Sequence, residues 1–104
     1  MSISERLHKR PLRRPVDAQT LDRLRSEYHK RRNGLGVASE LIDHPGDPHR
    51  LTIKSRWASL DVRFHNQMMI VDAQLSLAAR LLATDHNRRR VVRFIDDLAD
   101  ELDL

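Results

Sequence analysis

The stretch "SLDVRFHNQMMIVDAQL", residues 59–75, decides the fold. In its first half Leu60, Val62 and Phe64 alternate with Asp61, Arg63 and His65, the period of two that sorts side chains onto opposite faces of a strand. Asn66 and Gln67 then predict a tight hairpin into a returning strand, "MMIVDAQL", in which Met69 points inward and Met68 and Ile70 take the opposite parity. Upstream, "LTIKSRW" (51–57) sets Leu51, Ile53, Ser55 and Trp57 against Thr52, Lys54 and Arg56. "GVASELID" (36–43) reads as a further strand. Three to four consecutive strands with short turns predict an antiparallel meander with one face covered.

Outward from these strands the period lengthens. Leu21, Leu24 and Tyr28 recur at helical spacing behind Asp17, an N-cap residue, and ahead of Gly34, a C-terminal stop, which predicts a helix over about 18–33. In "TDHNRRRVVRFIDDLADEL" (84–102), Val91, Ile95, Leu98 and Leu102 form an apolar stripe widened by Val92, Phe94 and Ala99, with Thr84 or Asp85 as cap. Between sheet and helix, "SLAARLLA" (76–83) is apolar enough for a short buried helix or corner. The expected fold class is therefore α+β: an N-terminal helix, an antiparallel meander of three to four strands, and a C-terminal amphipathic helix. One domain over residues 16–104 follows a flexible basic arm, residues 1–15, broken by Pro11 and Pro15.

Composition narrows the function classes. The 104 residues include no cysteine, which removes disulfides, thiolate nucleophiles and cysteine-based zinc sites and fits a cytoplasmic setting. No secretory leader pattern opens the chain, and no window approaches the ~18 apolar residues of a membrane span. The net charge of +4 is uneven: residues 1–34 carry ten Lys/Arg against four Asp/Glu, and the remaining residues carry nine against eleven. Arg6, Lys9, Arg10, Arg13 and Arg14, continued by Lys30, Arg31 and Arg32, form a candidate anion-binding set able to track a phosphate backbone. Few aromatic residues accompany it, which argues against stacking on single-stranded bases.

The second predicted helix carries Arg88, Arg89 and Arg90 near its start and acids from Asp96 to Asp103 near its end, the reverse of what a helix dipole favours. Such an arrangement predicts compensating partners, on the first helix or on a second subunit. The loop "IDHPGDPHR" (42–50) gathers Asp43, His44, Asp47 and His49, ligand types for a transition metal, around turn-forming Pro45, Gly46 and Pro48. The constrained loop favours a turn over a metal site. No Ser, His and Asp spacing suggests a triad, and Gly34 and Gly36 follow a helix where a phosphate loop would precede one, so no catalytic residue, cofactor or metal is expected.

The order of elements resembles that of the small bacterial polyhydroxyalkanoic acid system, or granule-associated, proteins. The likeness rests on "GDPHRLTIKSR", "LDVRF", "MMIVDAQL", the "LAARLL" corner and the final amphipathic helix, and covers roughly 17–102. It departs from the family pattern at Leu41–Ile42, at "WAS" (57–59) and at "LSLA" (75–78), where a tryptophan and glycines are usual. The resemblance implies a non-enzymatic protein associated with polyester-storage granules. Met68 and Ile70 are then candidates for an apolar contact surface with a protein or granule, with homo-oligomers possible. The alternative is a small nucleic-acid-binding protein using the basic arm and first helix.

Overall fold

The computed structural model describes residues 2–35, 38–56, 58–76 and 84–104. Trp57, Val37 and residues 77–83 lie outside them, and with them the inward packing expected of Trp57 and the buried corner expected of "SLAARLLA". In chain order the elements are β1 (Ser2–Pro11), α1 (Ala18–Arg31), a 3-10 turn (Arg32–Leu35), β2 (Ser39–His44), β3 (Asp47–Ser55), β4 (Ala58–His65), β5 (Met68–Ser76) and α2 (Asp85–Glu101). The class is α+β with an antiparallel sheet. The order corrects the expectation: the first element is a strand rather than a helix, and the sheet has five strands, β1-β5-β4-β3-β2.

The segment expected to be a flexible arm thus supplies an edge strand, β1, antiparallel to β5. Its sequence hides this for a physical reason. Glu5, His8 and Arg10 pair with Ala73, Val71 and Met69, so polar side chains share the face that is apolar on β5. A register shift between Arg6 and His8 also breaks the period of two at Leu7. What makes the polar face tolerable is α2, which brings opposite charges over it.

Both helices pack on the sheet face formed by Leu51, Ile53, Leu60, Val62, Phe64, Met69, Val71, Ala73 and Leu75, all buried. In α1, Asp17 Oδ1 accepts from the Thr20 amide at 2.8 Å, and Leu21, Leu24 and Tyr28 are buried. Tyr28 meets Phe94 of α2 edge-on, ring centroids 6.4 Å apart, and shares a 2.5 Å hydrogen bond with Ser39 Oγ at the start of β2. Helix α2 begins at Thr84, whose Oγ1 accepts from the Asn87 amide at 3.2 Å. It ends with Asp103 in the left-handed region (φ 57°), the Leu104 amide donating to Ala99 O at 2.9 Å and the Asp103 amide to Asp100 O at 3.1 Å. This is the Schellman closure, with aspartate where glycine is usual.

Turn chemistry sets the hairpins. Asn66 (φ 51°) and Gln67 (φ 54°) are both left-handed, as a two-residue β4–β5 turn requires. The strain at Gln67 is held by Leu12, whose amide donates to Gln67 O at 2.7 Å and whose carbonyl accepts from Gln67 Nε2 at 3.3 Å. Pro45 and Gly46 turn β2 into β3, where His44 pairs with Asp47.

Candidate binding surface

With both helices on one face, the other face of the sheet is uncovered among the described residues. Following the register, it carries Arg6 and Lys9 from β1, Met68, Ile70, Asp72 and Gln74 from β5, Ser59, Asp61 and Arg63 from β4, Arg50, Thr52 and Lys54 from β3, and Glu40 and Ile42 from β2. Met68 and Ile70 are half-buried and sit on the side away from the helices.

The centre of this face is an ion-pair ladder that strand alternation marked merely as outward-facing. Asp61 and Asp72 are direct cross-strand partners, an arrangement that like charges oppose. Arginines from three strands resolve the conflict. Arg50 grips Asp61 with Nε at 2.8 Å and Nη2 at 2.7 Å, a forked pair. Arg63 Nη2 reaches Asp72 at 3.0 Å while its Nε stands 4.0 Å from Asp61, and Arg6 pairs with Asp72 from the edge strand. The hydrogen bond and charge of Asp61 hold the Arg50 pKa above its ordinary value. Arg63 Nε is buried without a hydrogen-bond partner, sandwiched in the ladder. The signal in the sequence was a run of acids and arginines at one strand parity, Asp61, Arg63 and Asp72 with Arg50.

The eight basic residues of the candidate anion site do not converge on one surface. Arg6 is in the ladder, and Lys30 pairs with Glu27. Arg10, on the helix side, donates to Asp96 Oδ1 at 3.1 Å, Asp100 Oδ1 at 2.7 Å and Leu104 O at 2.9 Å, beside a 2.8 Å His8–Asp96 contact. Burial pulls the Arg10 pKa down, but the hydrogen bonds and charges of Asp100 and Asp96 outweigh it, and the net shift is upward. Arg14 donates to Thr20 Oγ1 at 2.8 Å and Leu102 O at 2.6 Å, and Arg31 joins Glu27 to Glu101. Lys9, Arg13 and Arg32 are exposed, with no ion pair among the described residues.

These contacts explain the reversed charges of α2. No basic residue lies in its last turn, and the cations its C-terminal dipole favours come from Arg14, which bonds the C-cap carbonyl of Leu102, and Arg10, which bonds Asp96, Asp100 and the Leu104 oxygen just past the helix end. At the other end Arg88 forks onto Glu5 of β1 at 2.9 and 3.3 Å. Among the described residues, the ion pair between α1 and α2 is Arg31–Glu101, and β1 supplies the others, Glu5–Arg88, His8–Asp96 and Arg10 with Asp96 and Asp100.

The histidine-aspartate loop is divided. His44 Nε2 bonds Thr52 Oγ1 at 2.7 Å, Asp43 pairs with Arg25 at 3.0 Å, and Asp47 Oδ1 accepts the His49 amide at 3.0 Å, a local Asx turn. Among the described residues no three potential ligands gather around a common point. His49 instead joins His65, Asn66 and Gln67 at the rim of an open cleft of about 280 Å³ floored by Leu12, Val16 and Phe64. Among the described residues no helix is long and apolar enough to cross a membrane. No family model, curated protein or solved structure matches this chain.

Proposed function

We propose that the chain is a non-enzymatic binding protein that contacts its partner through the uncovered sheet face, and that a polyhydroxyalkanoate granule surface is the partner its sequence resemblance points to. The observation that supports this reading is the placement of Met68 and Ile70 beside one another along β5 on the side away from both helices. Methionine and isoleucine there offer an adaptable apolar strip, while the arginine–aspartate ladder beside it keeps the face soluble when unbound. Nucleic-acid binding is the weaker reading, because Arg6, Arg10, Arg14, Lys30 and Arg31 are already paired within the chain. Releasing them to phosphate would break contacts that hold β1 and α2 together.

The test is co-sedimentation with purified polyester granules. The expected result is binding that resists salt and falls on the order of tenfold in the double variant Met68→Glu, Ile70→Glu, about 1.4 kcal/mol. Binding unchanged by that variant would remove the face from the account. Binding of the wild-type chain to DNA that collapses between low and moderate salt, with no granule binding, would favour the alternative.

A further inference from the structure

The two edges of the sheet are built differently, and the difference points to a second copy of this chain. Edge strand β1 carries the devices that deter strand addition: Arg6 and Lys9 side by side with the edge, a register irregularity at Leu7, and Pro11 at its end. Edge strand β2, Ser39–His44, has no lysine, arginine or proline within it, and its own register irregularity falls at its last step, between Asp43 and His44, which leaves Ser39–Asp43 in regular register. It also carries Ile42, the exposed large hydrophobic residue of the described chain, at 39% relative exposure. Ile42 is in register with Thr52, on the face away from the helices.

We propose that two copies join edge to edge through β2, antiparallel about a two-fold axis at Ile42, into a continuous ten-stranded sheet. In that register every contact off the axis is made twice, as a closed symmetric interface requires. Ile42 meets Ile42 of the second copy, and Glu40 meets His44 of the second copy on the same face, an acid against an imidazole. On the helix side Leu41 lies across from Asp43 of the second copy, whose charge is already held by Arg25 at 3.0 Å. The neighbouring two-fold registers are poorer: an axis at Asp43 would set the two Asp43 carboxylates against each other, and an axis at Leu41 would set each Ile42 against Glu40 of the second copy. The isoleucine pair therefore fixes the register as well as covering the exposed side chain.

The chain lacks cysteine, so single cysteines report the interface directly. Facing residues of paired strands lie at ~5.5 Å between Cα atoms, within disulfide reach. Ile42→Cys should form a disulfide-linked dimer under mild oxidation, at least about tenfold faster than Lys9→Cys on the other edge, and stop at the dimer. In sedimentation equilibrium the unmodified chain should show a concentration-dependent dimer, and Ile42→Lys, folded by circular dichroism, should raise its dissociation constant at least about tenfold. The proposal is overturned if the two cysteine variants cross-link at equal rates, if the chain stays monomeric at millimolar concentration, or if Ile42→Lys dimerises as well as wild type. A mixture of Ile42→Cys and Lys9→Cys chains that cross-links preferentially to each other would also overturn it, showing head-to-tail pairing.

Discussion

Replacing Arg10 with methionine keeps the side-chain stem that packs between β1 and α2 and removes the guanidinium. In the folded chain that guanidinium is 17% exposed and makes contacts with Asp96, Asp100 and Leu104. Asp100, at 63% exposure, adds little, since an ion pair open to water contributes ~0–1 kcal/mol. The half-buried bonds to Asp96 Oδ1 and Leu104 O matter more: each charge-assisted bond contributes ~1–2 kcal/mol net, and the loss leaves Asp96 to His8 alone and takes the guanidinium from the Leu104 oxygen. The expected destabilisation is about 2–3 kcal/mol, read as a lowered urea midpoint at unchanged slope. Lys9→Met, the exposed neighbour on the opposite face, should stay within about 0.5 kcal/mol of wild type. A loss below about 0.5 kcal/mol for Arg10→Met, or equal losses for the two, would refute the claim that the basic N-terminal segment is a structural clamp on α2.

Other perturbations probe separate parts of the account. The Thr20 hydrogen bonds, backbone first, hold the Asp17 pKa below its ordinary 3.8, so its contribution is complete above that value and is lost as pH falls through the depressed one. Asp17→Asn keeps the cap without titrating, and acid denaturation followed by circular dichroism should therefore be less steep below about pH 4 than in wild type. Arg63→Ala leaves Asp61 and Asp72 opposed and should cost about 1 kcal/mol; adding Asp72→Asn should recover part of it in a double-mutant cycle. Gly46 is outside the left-handed region and a Cβ there meets nothing within 4 Å, so Gly46→Ala should leave stability unchanged or raise it by about 0.4–1 kcal/mol in thermal unfolding.

How far the sequence could be read depended on how each element is stabilised. Strands β3, β4 and β5 bury one side against the helices, so Leu51, Ile53, Leu60, Val62, Phe64, Met69 and Val71 print a period of two directly. Strand β1 is stabilised on its helix side by Glu5–Arg88, His8–Asp96 and Arg10–Asp100, contacts spanning more than eighty residues, and ionic partners leave no periodic trace. The reversed charges of α2 were the visible half of that pairing. Sequence alone misplaces their partner because a basic segment, Arg6 to Arg14, broken by Pro11 and Pro15, reads as solvated chain. On the uncovered sheet face, the parity of Met68 and Ile70 is legible in the alternation, whereas the ladder requires knowing that Asp61 and Asp72 are cross-strand partners.

The basic N-terminal segment belongs to the sheet as β1, paired with β5, and its helix-side charges, Glu5 and Arg10, are held against α2 rather than free in solution. Native-state hydrogen exchange on residues 2–11, resolved by amide, tests it most directly. The β1 amides bonded to β5 should exchange nearly as slowly as those of β4, and Arg10→Met should accelerate them more than it accelerates β3. Exchange of residues 2–11 at the rate of an unstructured peptide, with β3 to β5 still protected, would contradict it and return the basic residues to a free arm.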